Sequence, residues 1–256
     1  MESSMSSGTP APLPQTCCPT VWLWPGQALY AGPGLGLQPH SGSVFCLAVG
    51  IDEPLSVQTD QATTVARTVL IPPRVRHQLT VQGRLVSCYL DPASARTASC
   101  RELFTDTDTD GIGVRHRAER ALLSLPADDL AALRWLDTAA PTQVQRMDPR
   151  IELVAKQIRD DPTHVESAGD LAAAIGLSES RFLHLFRQET GSSLRRYRLW
   201  SRLTRAGAEI AAGQSLTVAA VEAGFTSPSH LSDRFKSTFG LSATALLATG
   251  LTIRTP

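Results

Sequence analysis

One pattern occurs twice in the last third of the chain, 49 residues apart: GLSESRFLHLFRQETGSS (Gly176–Ser193) and GFTSPSHLSDRFKSTFGLS (Gly224–Ser242). Laid over each other, Ser178 falls on Ser227, Phe182 on Leu231 and Phe186 on Phe235. Arg187 falls on Lys236, Gly191 on Gly240 and Ser193 on Ser242. Each copy supplies a turn glycine, a serine able to cap free N–H groups, a short amphipathic helix with a basic residue, and a glycine that stops it. A sequence built this way must fold into two short helices of the same design, each preceded by a tight turn.

At 100° per residue each helix has two opposed faces. In the first, Phe182, Leu185 and Phe186 point one way, and Ser180, Leu183, His184 and Arg187 the other. In the second, Leu231 and Phe235 face in, and Ser229, Ser232, Asp233 and Lys236 face out; Pro228 suits its first position. Phe182, Phe186, Phe225 and Phe235 are expected in the core. Ser193–Ala212 reads as one helix of roughly 20 residues, about 30 Å long. That length is close to the roughly 34 Å between successive major-groove passes of a duplex. Gly207 inside it costs about 1 kcal/mol relative to Ala. Upstream, Ile151, Val154, Ala155 and Ile158 mark another helix face, and Ser167 with Asp170 makes a capping box before DLAAAIG.

Charge supports a polyanionic partner. The chain is neutral overall, yet residues 150–256 carry +3 and residues 1–149 carry −3. Arg181, Arg187, Arg195, Arg196, Arg198, Arg202 and Arg205 fall in one stretch opposed only by Glu189. Guanidinium groups fork onto phosphate oxygens, and such clustering is the electrostatic footprint of DNA binding. A solvated Arg-rich helix face is the alternative reading of the same stretch.

The first half is organised differently. Residues 1–20 are rich in Ser, Pro and Thr and read as a disordered tail. Short apolar runs then follow, cut by Gly and Pro: SVFCLAVG (Ser43–Gly50), ARTVLIPP (Ala66–Pro73) and RLVSCYL (Arg84–Leu90). Runs of that kind in series read as strands of a sandwich or small barrel. Leu103–Gly113 reads as an acidic loop, Arg117–Leu123 and Pro126–Leu136 as helices, and Pro141–Pro149 as a polar connection. The expected division is a tail (1–20), a β-rich domain (21–112), a helical connector (113–149) and an all-α domain (150–250).

From about Arg150 to Ala248 the sequence resembles the DNA-binding domain of AraC/XylS-type transcriptional regulators. The match runs through both motifs and the helix between them. The resemblance implies an α+β multidomain chain: an N-terminal degenerate cupin-like domain for effector binding or dimerisation, then two helix-turn-helix subdomains joined by a long helix. It implies that Ser180, Leu183, His184, Ser229, Ser232 and Asp233 meet base edges. Arg181, Arg187, Arg195, Arg196 and Lys236 would then meet phosphates. Leu183 could contact a thymine methyl and Asp233 could accept from cytosine N4. The Gly-x-Ser-Pro usual at the end of the family's second motif reads Gly240-Leu241-Ser242-Ala243 here. The implied partners are double-stranded DNA, RNA polymerase, a small-molecule effector and a second copy of the chain.

Val69–Pro92 resembles the later strands of the family's sensor, and Pro39–Ser43 resembles the place where metal-binding cupins carry paired histidines. His40 and His77 are the two candidates for an effector pocket; a metal cupin needs three or four converging His/Glu ligands. No metal, cofactor or catalytic residue is therefore expected, and the chain reads as a regulator, not an enzyme. A cupin metalloenzyme fused to a DNA reader and a redox switch through Cys17, Cys18, Cys46, Cys88 and Cys100 are the competing classes. The cysteines show no CxxC spacing. GPGLG (Gly32–Gly36) reads as a turn, since no helix follows it. Asp106–Gly111 mimics the start of a calcium loop but has Arg117 where the twelfth-position Glu belongs. No signal peptide and no run long enough to span a bilayer is present, so a cytoplasmic location is expected.

Overall fold

A computed structural model describes residues 18–142 and 147–256. The expected tail lies outside them up to residue 17, as do Cys17 and the middle of the polar connection.

The N-terminal half alternates short strands with tight turns: β1 (Thr20–Trp24), β2 (Gln27–Pro33), β3 (Phe45–Gly50), β4 (Leu55–Gln58), β5 (Thr63–Ala66), β6 (Thr68–Ile71), β7 (Gln78–Thr80) and β8 (Arg84–Leu90). Then come α1 (Ala95–Glu102), β9 (Phe104–Thr107), β10 (Gly113–His116), α2 (Glu119–Leu122) and α3 (Asp129–Ala139). The larger sheet runs β11-β1-β2-β8-β3-β6-β10-β9, where β11 (Thr252–Arg254) comes from the far end of the chain; the smaller runs β5-β4-β7. Period-two alternation decides which layer each side chain joins. In β8, Val86, Cys88 and Leu90 pack with Trp135 and Leu136 of α3, while Leu85 and Tyr89 face the small sheet. The domain is thus three layers: small sheet, large sheet, helices.

Two sequence expectations change here, and one element is new. Residues 113–116 form strand β10, paired with β6 and β9, instead of opening a helical connector. The acidic loop is a β9–β10 hairpin in which the Asp108 carboxylate accepts from the N–H groups of Asp110 and Ile112. Helix α1, capped by Ser94, is an element the sequence did not announce.

The C-terminal half is helical: α4 (Pro149–Asp160), α5 (Ala168–Ala174), α6 (Glu179–Thr190), α7 (Leu194–Ala211), α8 (Leu216–Glu222), α9 (Pro228–Phe239) and α10 (Ala243–Leu247). The local signals operate as expected. Ser167 and Asp170 form the reciprocal capping box. Ser178, Ser193, Ser227 and Ser242 each accept from the backbone N–H three residues on, in the first turn of the helix, each cap contributing about 1 kcal/mol. Gly191 and Gly240 end α6 and α9 in the left-handed conformation. Ile151, Val154, Ala155 and Ile158 of α4 pack with Phe182, Phe186 and Tyr197 in one core. Leu203, Ala206, Ala220, Phe225 and Leu231 build a second. Helix α7 contributes to both and so fixes one subdomain relative to the other.

Candidate DNA-binding surface and interdomain cavity

Helix α6 shows the two faces read from its sequence. Phe182, Leu185 and Phe186 are buried, while Ser180, Arg181, Leu183, His184 and Arg187 are exposed. Leu183, an apolar side chain left 38% exposed, is the kind of group that meets a methyl at a macromolecular surface. Helix α9 repeats the arrangement less completely. Ser229, Asp233 and Lys236 are exposed, Ser232 is half-buried and Leu231 is buried. Phe235 departs from the core reading: it is only partly buried, because its ring faces a cavity between the two halves of the molecule.

The basic residues separate into two groups. Arg181, Arg187, Arg195 and Lys236 are exposed and none has an ion pair or side-chain hydrogen bond among the described residues. The others are occupied. Arg198 donates to Glu166 O, Arg202 to Pro162 O, and Arg205 pairs with Glu209 at 2.7 Å. Arg196, assigned above to phosphate, instead donates to Gly42 O at 2.9 Å, in the loop before β3. Burial lowers its guanidinium from the ordinary arginine value, helped by the charges of Arg74 and Arg195.

That same loop touches both helix-turn-helix units. Ser192 Oγ donates to Ser43 O, Gln38 N to Gly240 O at 2.8 Å, and Ser41 N to Ser237 O at 3.3 Å. Gly240 is required there twice over. Its φ is +80°, and a Cβ would lie 2.5 Å from Gln38 O and 2.7 Å from His40 Nδ1. The halves are joined elsewhere by a buried cluster. Asp91, at the end of β8, accepts from Arg159 of α4 at 3.0 Å and from Tyr197 of α7 at 3.1 Å. Burial pushes the Asp91 carboxyl up from its ordinary value, and the Arg159 charge and the Ala93 N–H pull it back. Trp200 Nε1 donates to Gly26 O. The chain end returns as β11, parallel to β1, and Arg254 pairs with Asp129, which also accepts from Trp22.

Between β1, β2, β8 and helices α7, α9 and α10 lies a cavity of about 300 Å3, at the low end of the range for small-molecule sites. Its walls include Leu23, Tyr89, Trp200, Leu231, Phe235 and Phe239. The glycine in α7 now has a reason. A Cβ on Gly207 would stand 2.9 Å from Leu23 Cδ1, so the helix can approach β1 only without a side chain. The sequence reading missed this cavity; Gly207 and a phenylalanine-rich inner face on α9 were its available signals.

His40 and His77 are brought together elsewhere. They are paired backbone to backbone, with ring centroids 4.3 Å apart. Neither borders the large cavity, and His77 lines a small polar cleft with Arg76 and Asp60. Burial lowers both imidazoles, His40 to about 4 with the His77 charge adding to the shift. Among the described residues no group of three His, Cys, Asp or Glu converges as a metal site. Cys46, Cys88 and Cys100 are buried. Desolvation pushes their thiols up, Cys46 and Cys100 to about 12, which disfavours the reactive thiolate. No helix among the described residues is long and apolar enough to cross a membrane.

Residues 171–249 match a protein family described as a helix-turn-helix domain. No curated protein sequence matches the chain. Among solved structures, an apo lysine-to-alanine variant of ToxT from Vibrio cholerae is similar with a TM-score of 0.58 at 11% identity, over 88% of this chain and 97% of that one. Wild-type ToxT with an unsaturated fatty acid bound gives 0.54 at 12%, over 88% and 96%. ToxT bound to (E)-4-(8-methylnaphthalen-1-yl)but-3-enoic acid gives 0.53 at 12%, over 87% and 98%. The chain shares the two-domain fold of these ToxT structures, and its segment 171–249 matches the helix-turn-helix family. The expected two-domain fold and the two helix-turn-helix motifs read from the sequence agree with these findings.

Proposed function

We propose that the chain is a sequence-specific DNA-binding transcriptional regulator whose β-rich domain governs the second of its two reading helices. Phosphate contacts from Arg181, Arg187, Arg195 and Lys236 supply sequence-independent affinity. Ser180, Leu183 and His184 on α6, with Ser229, Ser232 and Asp233 on α9, choose the bases. Arg196 joins the phosphate set only when it leaves Gly42, so contact with the β-rich domain and contact with DNA compete for it.

One observation carries the regulatory half of this reading. Helix α9 presents its outer face to solvent while its inner face forms a wall of the interdomain cavity. A molecule in that cavity touches the reading helix directly and therefore shifts the balance between its arrangements. ToxT structures hold an unsaturated fatty acid and a butenoic acid; by analogy of fold, a hydrophobic small molecule is the effector here. RNA polymerase and a second copy of the chain are the remaining partners that the family resemblance implies, in the cytoplasm.

The test is selection of bound sites from a random DNA pool with the full chain. The reading expects an enriched motif whose two halves lie about one helical turn apart. Replacing Ser180 and His184 with Ala should degrade one half, and replacing Ser229 and Ser232 should degrade the other. Enrichment of no motif, or one insensitive to all four changes, contradicts it.

A further inference from the structure

We infer that the interdomain cavity takes a neutral amphiphile, a long-chain alcohol or ketone in chemical type, and excludes the matching carboxylate. The inference rests on the reading of the cavity as an effector site. None of the residues lining the cavity carries a charge. A carboxylate there would lose its hydration with no cation or paired donor to replace it, which is prohibitive for an unpaired charge.

The polar groups in the wall are nearly all committed. Tyr30 donates to Pro33 O at 2.7 Å, Trp200 to Gly26 O at 3.2 Å, and Thr204 to Ser201 O at 3.0 Å. The Tyr89 hydroxyl is turned into the protein, buried beside the Cys46 thiol. Ser87 is the exception. It sits in β8 between Leu85 and Tyr89 on the strand face that looks into the cavity, where packing alone would favour an apolar residue. Its hydroxyl has no hydrogen-bond partner among the described residues. One free hydroxyl in an apolar wall suits one neutral oxygen on the ligand, since a hydroxyl both donates and accepts. The remaining surface is aliphatic and aromatic and suits a hydrocarbon tail.

An acid can enter only as its protonated form. For a carboxyl of ordinary pKa, near 4.5, that form is scarcer by about a thousandfold at pH 7.5. The experiment is displacement of the neutral fluorophore N-phenyl-1-naphthylamine from the full chain by dodecan-1-ol and by dodecanoate. We expect the alcohol to displace at a concentration at least tenfold lower at pH 7.5. Dodecanoate should improve about tenfold for each pH unit between 7.5 and 6, while the alcohol stays flat. Ser87→Ala should weaken the alcohol about three- to tenfold, one hydrogen bond's worth, and leave the fluorophore within twofold. Thr204→Phe, or Leu246→Trp if circular dichroism shows the first unfolded, should fill the cavity and remove the fluorophore signal. Displacement by dodecanoate that equals the alcohol's and ignores pH overturns the neutral class while leaving the cavity an effector site. A fluorophore that never binds, or binds the filled variants equally, removes the effector site itself; DNA binding, measured on the same sample, is judged separately.

Discussion

Asp91→Ala tests whether the two halves of the molecule are held by chemistry or merely lie in contact. Asp91 is buried and its carboxylate accepts three hydrogen bonds: from Ala93 N, from Arg159 and from Tyr197. Removing one partner of a buried charged pair costs about 3–5 kcal/mol, chiefly because the other is stranded. Two features pull the figure to the lower end. The Arg159 side chain is 25% exposed and can recruit water, and the Tyr197 hydroxyl lies 3.4 Å from Ala155 O as a substitute acceptor. About 3 kcal/mol in a chain of this size lowers Tm by about 6–12 °C. Since Asp91 belongs to the β-rich half and its partners to the helical half, the loss should fall on their joint. Differential scanning calorimetry should then show one transition dividing into two, with Asp91→Asn intermediate. A Tm within about 2 °C of the parent, or an undivided transition shifted as a whole, would refute the reasoning.

Three further outcomes follow from the same contacts. Gly240→Ala meets both a left-handed backbone and Gln38 O, whereas Gly176 has φ +70° and nothing within 4 Å of an added Cβ; Gly240→Ala should cost more than Gly176→Ala, by about 1–3 kcal/mol for the added overpacking, in urea denaturation. His40 has its pKa depressed to about 4, so the unfolded chain binds more protons between there and 6.5; stability is full above pH 6.5 and falls as pH drops towards 4, by up to about 3 kcal/mol, and His40→Gln should flatten that pH dependence of Tm. Four free cations predict a salt slope of log K on log salt near −3.6, and Arg195→Ala should reduce it to about −2.7 while weakening all DNA sequences alike; a changed base preference would show that Arg195 reads bases instead.

Local signals in the chain were legible because they are satisfied locally. The serine caps, the Pro228 start, the glycine stops at Gly191 and Gly240 and the length of α7 depend on residues within a turn of each other, and all are present. The inward positions Phe182 and Phe186 followed from period alone. What stayed hidden is set by distant partners. Nothing near Arg196 in sequence announces that Gly42 will claim it, and nothing in Thr252–Arg254 announces a parallel partner at β1. Phe235 looked like a core residue because an inward helical position normally meets its own subdomain; here it meets a cavity whose opposite wall is the other half of the chain. His40 and His77 stand far apart in sequence, and only the backbone pairing of their two loops brings their rings together.

Hydroxyl-radical footprinting on a selected site addresses the central claim most directly. If α6 and α9 read together, the full chain protects two patches about one helical repeat apart on the same face of the duplex, and Ser180→Ala with His184→Ala fades one patch alone. A single patch, or two that fade together, would mean that the paired helices do not act as separate readers of one strand of DNA.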